Sequence, residues 1–195
     1  TQGEKGEKGD VGDTGANGDG YDELTPYGNI VVQYKGTRPD NAAFDKTIDF
    51  KFSATGQEVS YLSRVWEWEE GSAGRTFQAE RYSSPKLTNS NGSNNHVGFW
   101  FPRPDDQEEE SEIYVYTYTS IYSDDMKFFV LDLGNYFSPT ETVTEYSFTS
   151  ATGELKFKFH VVVPADQNDS NHDLDISADV NVKVVKAIEP IDNPG

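Results

Sequence analysis

The sequence predicts an all-β protein: an antiparallel, jelly-roll-like β-sandwich head preceded by a triple-helical segment. Three observations carry that expectation. Glycine occupies every third position from Gly3 to Gly18. The rest of the chain is rich in rings, with 12 Phe, 11 Tyr and 3 Trp against a single Met, a composition that favours strands over helices. Short alternating or apolar runs then recur down the chain between turn-forming residues. Together these divide it into a stalk at 1–20 and a head domain with a C-terminal tail at 21–195.

The stalk comes first. In a collagen triple helix, three polyproline-II-like chains share an axis with room for nothing larger than hydrogen. Gly3, Gly6, Gly9, Gly12, Gly15 and Gly18 would each present that hydrogen. One chain cannot build this structure, so the repeat predicts a homotrimer. Lys5 and Glu7, then Lys8 and Asp10, set a cation before a glycine and an anion after it. In a staggered trimer such side chains pair between chains, at about 0–1 kcal/mol for each exposed pair. The repeat contains no proline and is too short to offset its own ordering entropy, so the head must help hold the trimer. An unordered glycine-rich leader is the plain alternative, but it has no need to keep glycine in register.

Beyond the break at Asp19-Gly20-Tyr21, residues 29–35, 46–53, 58–69, 75–81, 96–101, 112–120, 127–133 and 143–149 read as strands. Two further strands are the clearest. Leu155, Phe157, Phe159, Val161 and Val163 share one face against Lys156, Lys158 and His160, and Ile176, Ala178, Val180, Val182 and Val184 alternate with polar residues. Turns are expected at Gly36, Pro39-Asp40, Thr55-Gly56, Gly71, Pro85, Asn91-Gly92, Pro102, Pro104, Gly134-Asn135, Pro139 and Thr152-Gly153. No stretch reads as a helix. Ten strands at this spacing imply two antiparallel sheets packed face to face.

Sixteen basic residues against 34 acidic ones give a formal charge of -18, and the pI is about 4.3. That balance disfavours nucleic acid and anionic membrane surfaces as partners. There is no cysteine, and no apolar run of the length needed for a spanning helix. The glycine repeat points to an extracellular or cell-surface location.

Candidate sites are few. Tyr114, Tyr116 and Tyr118 share one strand face, as do Trp66 and Trp68. Such rows can stack sugar rings, bury themselves between protomers, or form a cross-strand ladder inside the sandwich. The acidic run 105–112 reads as a solvated loop. Asp166, Asn168 and Ser170 have the alternate spacing of weak calcium ligands, but the sixth and twelfth positions of that loop are Asn171 and Ser177, so a plain hairpin loop is the simpler account. His96, His160 and His172 show no metal spacing. Without a nucleophile elbow, a phosphate loop or a Cys-His pair, the expectation is no enzyme and no cofactor. A pair of hydrolytic carboxylates could not be singled out among so many acids. Asn91 and Asn168 head formal glycosylation sequons.

A short Gly-X-Y stalk with Glu-Lys and Asp pairs over Gly3 to Gly20, followed by an acidic, aromatic β-rich head, resembles the bacterial collagen-like surface proteins. The resemblance covers about a tenth of the chain and brings no active-site residues with it. It implies a structural subunit of an extracellular homotrimeric fibre or surface filament, whose partner is itself. Many members of that group are lipoproteins, so any membrane link would come from an anchor upstream of Thr1. The runner-up reading is an adhesin or polysaccharide-binding head displayed on the stalk.

Overall fold

The computed structural model of the chain describes residues 25–53, 63–67, 74–85, 95–103, 112–139 and 143–186. The six stalk glycines, Lys5, Glu7, Lys8, Asp10, Trp68, Asn91 and the acidic residues 105–110 lie outside the described residues.

Eleven strands are described: β1 (Gly28–Thr37), β2 (Ala43–Phe50), β3 (Ser63–Glu67), β4 (Arg75–Tyr82), β5 (His96–Arg103), β6 (Glu112–Tyr122), β7 (Phe128–Pro139), β8 (Val143–Thr149), β9 (Glu154–Val163), β10 (Leu174–Lys183) and β11 (Val185–Lys186). They form a five-stranded sheet, β2-β1-β10-β9-β8, and a six-stranded sheet, β11-β3-β4-β5-β6-β7. The protein is all-β, and its two sheets pack as a sandwich. Among the described residues, a 3-10 turn, Ala165–Gln167, lies between β9 and β10.

Period-2 alternation explains which side chains enter the core. Leu155, Phe157, Phe159, Val161 and Val163 of β9 are buried, as are Leu174, Ile176, Ala178, Val180 and Val182 of β10. They meet Phe77, Val97, Phe99, Phe101, Ile113, Val115, Leu131 and Leu133 from the opposite sheet. Phe99 stands edge-on to Phe157 with ring centroids 5.0 Å apart, and Phe44 edge-on to Phe129 at 5.3 Å. Each such buried side chain contributes roughly 1.5–3 kcal/mol.

Four sequence expectations need correction. Strand neighbours are mostly consecutive, as in a meander, whereas a jelly roll sets non-consecutive strands side by side in Greek keys. Alternation fixes the face of each strand and leaves its neighbours open. Gly134-Asn135 is not a turn: both residues lie in β7, where Val115 pairs with Tyr136 and Thr117 with Leu133, so two residues stand opposite Tyr116 as a bulge. Gly36 and Pro102 likewise lie inside strands. Pro102 sits past the last β5–β6 pair, Trp100 with Tyr114, where a missing N–H is tolerated.

A charged side chain is built into the core. Arg81 of β4 is fully buried, and burial pushes its pKa down to about 10. It donates to the carbonyls of Tyr27 (2.6 Å), Gly28 (3.1 Å) and Glu80 (2.8 Å) and to Ser63 Oγ (2.7 Å). The segment leading into β1 is thereby tied to β3 and β4.

Candidate functional site

The tyrosine row of β6 lies on the outside of the sandwich. Ile113, Val115, Thr117 and Thr119 point inward and are buried, so Tyr114, Tyr116 and Tyr118 must point out, where they are half-buried. Trp66 stands on the same outer face of the six-stranded sheet, and so does Trp100, which is 46% exposed. The rings form a row across the strands. Trp66 and Trp100 have centroids 6.2 Å apart and Trp100 and Tyr114 5.5 Å apart, tilted by 42° and 38°.

A second group continues along β5 and β6. His96 stacks on Tyr118 with centroids 6.2 Å apart and planes 15° from parallel, and it approaches Tyr82 at 5.8 Å. Tyr116 lies across Gly98, and its ring fills the place where a β-carbon would stand. Only glycine admits this close approach. A polar relay on the same face fixes the rings: Arg64 Nε donates to Gln78 Oε1 at 2.9 Å, Gln78 bonds the Tyr116 hydroxyl, and that hydroxyl donates to Glu80 Oε2 at 3.0 Å. The Tyr82 hydroxyl donates to the other Glu80 oxygen. Burial, reinforced by the Glu80 charge, raises the Tyr116 pKa well above the ordinary phenol range. The Arg64 guanidinium also sits 4.8 Å above the Trp66 ring.

Trp100 and Gly98 were missed by the sequence reading, although the signal was there. Phe99 and Phe101 are buried, so alternation forces Trp100 and Gly98 to the other face, beside Tyr114 and Tyr116. Trp66 and the three tyrosines lie on that same outer face. That face can stack flat or C–H-rich ligands against a row of neighbouring, mutually tilted rings.

Other candidates occupy separate places. Asn168 is engaged by its own loop: Nδ2 donates to the carbonyls of Val163 (3.2 Å), Pro164 (2.7 Å) and His172 (3.0 Å), while Oδ1 accepts from Ser170 N at 2.9 Å. Ser170 is buried in the same network, and Asp166 lies in the 3-10 turn. These residues act here as loop architecture, and the amide nitrogen of the Asn168 sequon is already bonded. His160 pairs with Asp175 at 3.0 Å on the outer face of the five-stranded sheet. Nearby, Lys158 meets Glu145 at 2.7 Å beside a cavity of about 470 Å³, and Glu145 takes φ 55° where β8 bulges against β9. Among the described residues no group of three or more His, Asp or Glu is arranged to hold a metal ion.

No known protein family, curated protein or solved structure matches this chain.

Proposed function

We propose that the chain is a structural subunit of an extracellular homotrimeric collagen-like fibre or surface filament. In this reading the 1–20 stalk winds as a triple helix and the β-sandwich heads set its register. The observation that carries the proposal is glycine at every third position from Gly3 to Gly18, because only a shared triple-helical axis requires that period. In this layout the two-sheet β-domain that follows the stalk is the head, and the contacts that hold three stalks together would be made by it. The protein is assigned no catalysis and no cofactor.

Light scattering on the purified protein tests the trimer: the mass should be three times the 21.8 kDa chain. The polyproline-type circular dichroism of the stalk should vanish in Gly9→Val, whose side chain cannot enter the axis. A mass of one chain at micromolar concentration would end the proposal. Growth into a filament requires an open, head-to-tail contact between trimers. Micrographs with isolated trimers alone would remove that step.

A second reading is favoured by the outward placement of Trp66, Tyr114, Tyr116 and Tyr118. The head is then an adhesin or polysaccharide-binding module, and the stalk displays it.

A further inference from the structure

We infer that the row Trp66, Trp100, Tyr114 on the outer face of the six-stranded sheet is a binding platform for a neutral β-1,4-linked polysaccharide. This deepens the second reading above and rests on it. Four observations carry it.

The first is spacing. Ring centroids 6.2 and 5.5 Å apart, in planes tilted by 42° and 38°, set a step between neighbouring rings comparable to that from one pyranose to the next. Equatorially linked sugars expose patches of axial C–H on their flat faces, and an electron-rich ring attracts those patches. The second is exposure. Trp100 leaves 46% of its surface in solvent while its neighbours Phe99 and Phe101 fill the core.

Rigidity is the third. Arg64, Gln78, Tyr116, Glu80 and Tyr82 form one hydrogen-bonded relay on the face, and Tyr116 is wedged over Gly98. Rings already held in place lose little freedom when a ligand arrives, so more of the stacking energy appears as affinity.

Charge is the fourth, and it selects the class of polymer. A chain of net charge -18 repels polyanions. On the face itself the two oxygens of Glu80 hold tyrosine hydroxyls, and the guanidinium of Arg64 lies over Trp66 and bonds Gln78. Among the described residues, Glu80 and Arg64 beside the row are thus engaged in holding it, which suits an uncharged ligand.

The test uses the full 195-residue chain in native gels cast with hydroxyethylcellulose, galactomannan or alginate, alongside tryptophan-fluorescence titration with the same polymers. A neutral polymer should retard the protein and shift its tryptophan emission, and alginate should do neither. Trp100→Ala and Trp66→Ala should each raise the polymer concentration for half-retardation about tenfold. His160→Ala, on the opposite sheet, should leave retardation unchanged. Far-ultraviolet circular dichroism and melting temperature verify that each variant is folded.

Retardation that survives in both tryptophan variants overturns the platform yet keeps the binding-head reading. Failure of both neutral polymers to retard the wild type overturns the two together. Equal retardation by alginate overturns the neutral class of ligand. A fall in assembly mass in Trp100→Ala overturns the platform in favour of a contact between copies of the chain.

Discussion

Two threonines on one strand show how much a single buried hydroxyl can decide. Thr117 and Thr119 both point into the sandwich from β6, with 2% and 0% of their surface exposed. Thr117 Oγ1 donates to the His96 carbonyl at 2.8 Å, so its contact with the Tyr34 hydroxyl, also 2.8 Å, must have the tyrosine as donor. That chain of bonds crosses from the five-stranded to the six-stranded sheet, and burial holds the Tyr34 phenol far above its usual pKa. Thr119 Oγ1 finds no hydrogen-bond partner among the described residues. An unmet buried hydroxyl is costly, whereas a methyl of the same shape is not. Thr119→Val should therefore stabilise the head by about 1 kcal/mol, while Thr117→Val, two residues away, should destabilise it by about 1–3 kcal/mol by leaving the Tyr34 hydroxyl stranded. Urea unfolding midpoints at neutral pH compare the two, and equal shifts of one sign would contradict the assignment. Close approach makes a second test. Gly98→Ala forces the Tyr116 ring off the sheet and away from Glu80, and should cost about 1–3 kcal/mol. In a Tyr116→Ser background most of that cost should vanish, which a double-mutant cycle reads directly.

Elements are joined at one end of the sandwich by a charged clamp. Arg38 follows β1, and its guanidinium makes paired bonds to Asp40 at 2.8 and 2.8 Å and to Asp125, beyond β6, at 2.7 and 2.8 Å. It also donates to Ser123, and Lys127 reaches Asp40 at 3.0 Å. The turn between β1 and β2 is thereby fastened to the turn between β6 and β7. The Arg38 hydrogen bonds, seconded by Lys127 at Asp40 and by Ser123 at Asp125, hold both carboxyls well below the usual range. A carboxyl whose folded pKa is depressed adds stability above its unfolded value, about 3.9, and loses that contribution as pH falls toward the folded value. Melting temperature should accordingly drop between pH 5 and 2 more steeply in the wild type than in Arg38→Met, measured at fixed ionic strength. Parallel curves would show that the clamp does not couple to folding. Ten strand positions were legible because alternation reports which residues face a core, as with Leu155 to Val163. Strand order was not, since the hairpin between β9 and β10 and the pairing of β1 with β10 use the same alternation. The two-residue β11 is too short to alternate at all, and Gly134-Asn135 looks like a turn because a bulge asks for the same residues. The ring-lined face was half legible. Its tyrosines announced themselves, while Trp100 was hidden among phenylalanines whose burial gives it away only when faces are assigned in pairs.

At the scale of the whole molecule, charge would oppose the proposed assembly. Each chain carries 34 acidic and 16 basic residues, so bringing three heads together concentrates negative charge. The stalk pulls the other way, since Lys5, Glu7, Lys8 and Asp10 alternate in sign and would pair between chains in the proposed triple helix. Salt weakens both effects, with a screening length near 30 Å at 0.01 M and about 10 Å at 0.1 M. The two forces differ in reach. Head repulsion sums over many charges at long range, whereas each stalk pair is an exposed contact worth about 0–1 kcal/mol. Repulsion should therefore dominate the response, and the trimer fraction at fixed chain concentration should rise as sodium chloride increases from about 0.01 to 0.1 M. Sedimentation velocity measures that fraction directly. Replacing Lys5 and Lys8 with glutamine should lower it at every salt concentration without reversing the slope, because the head term remains. A trimer that dissolves on adding salt would mean that the stalk pairs, and not the heads, set the balance of the assembly.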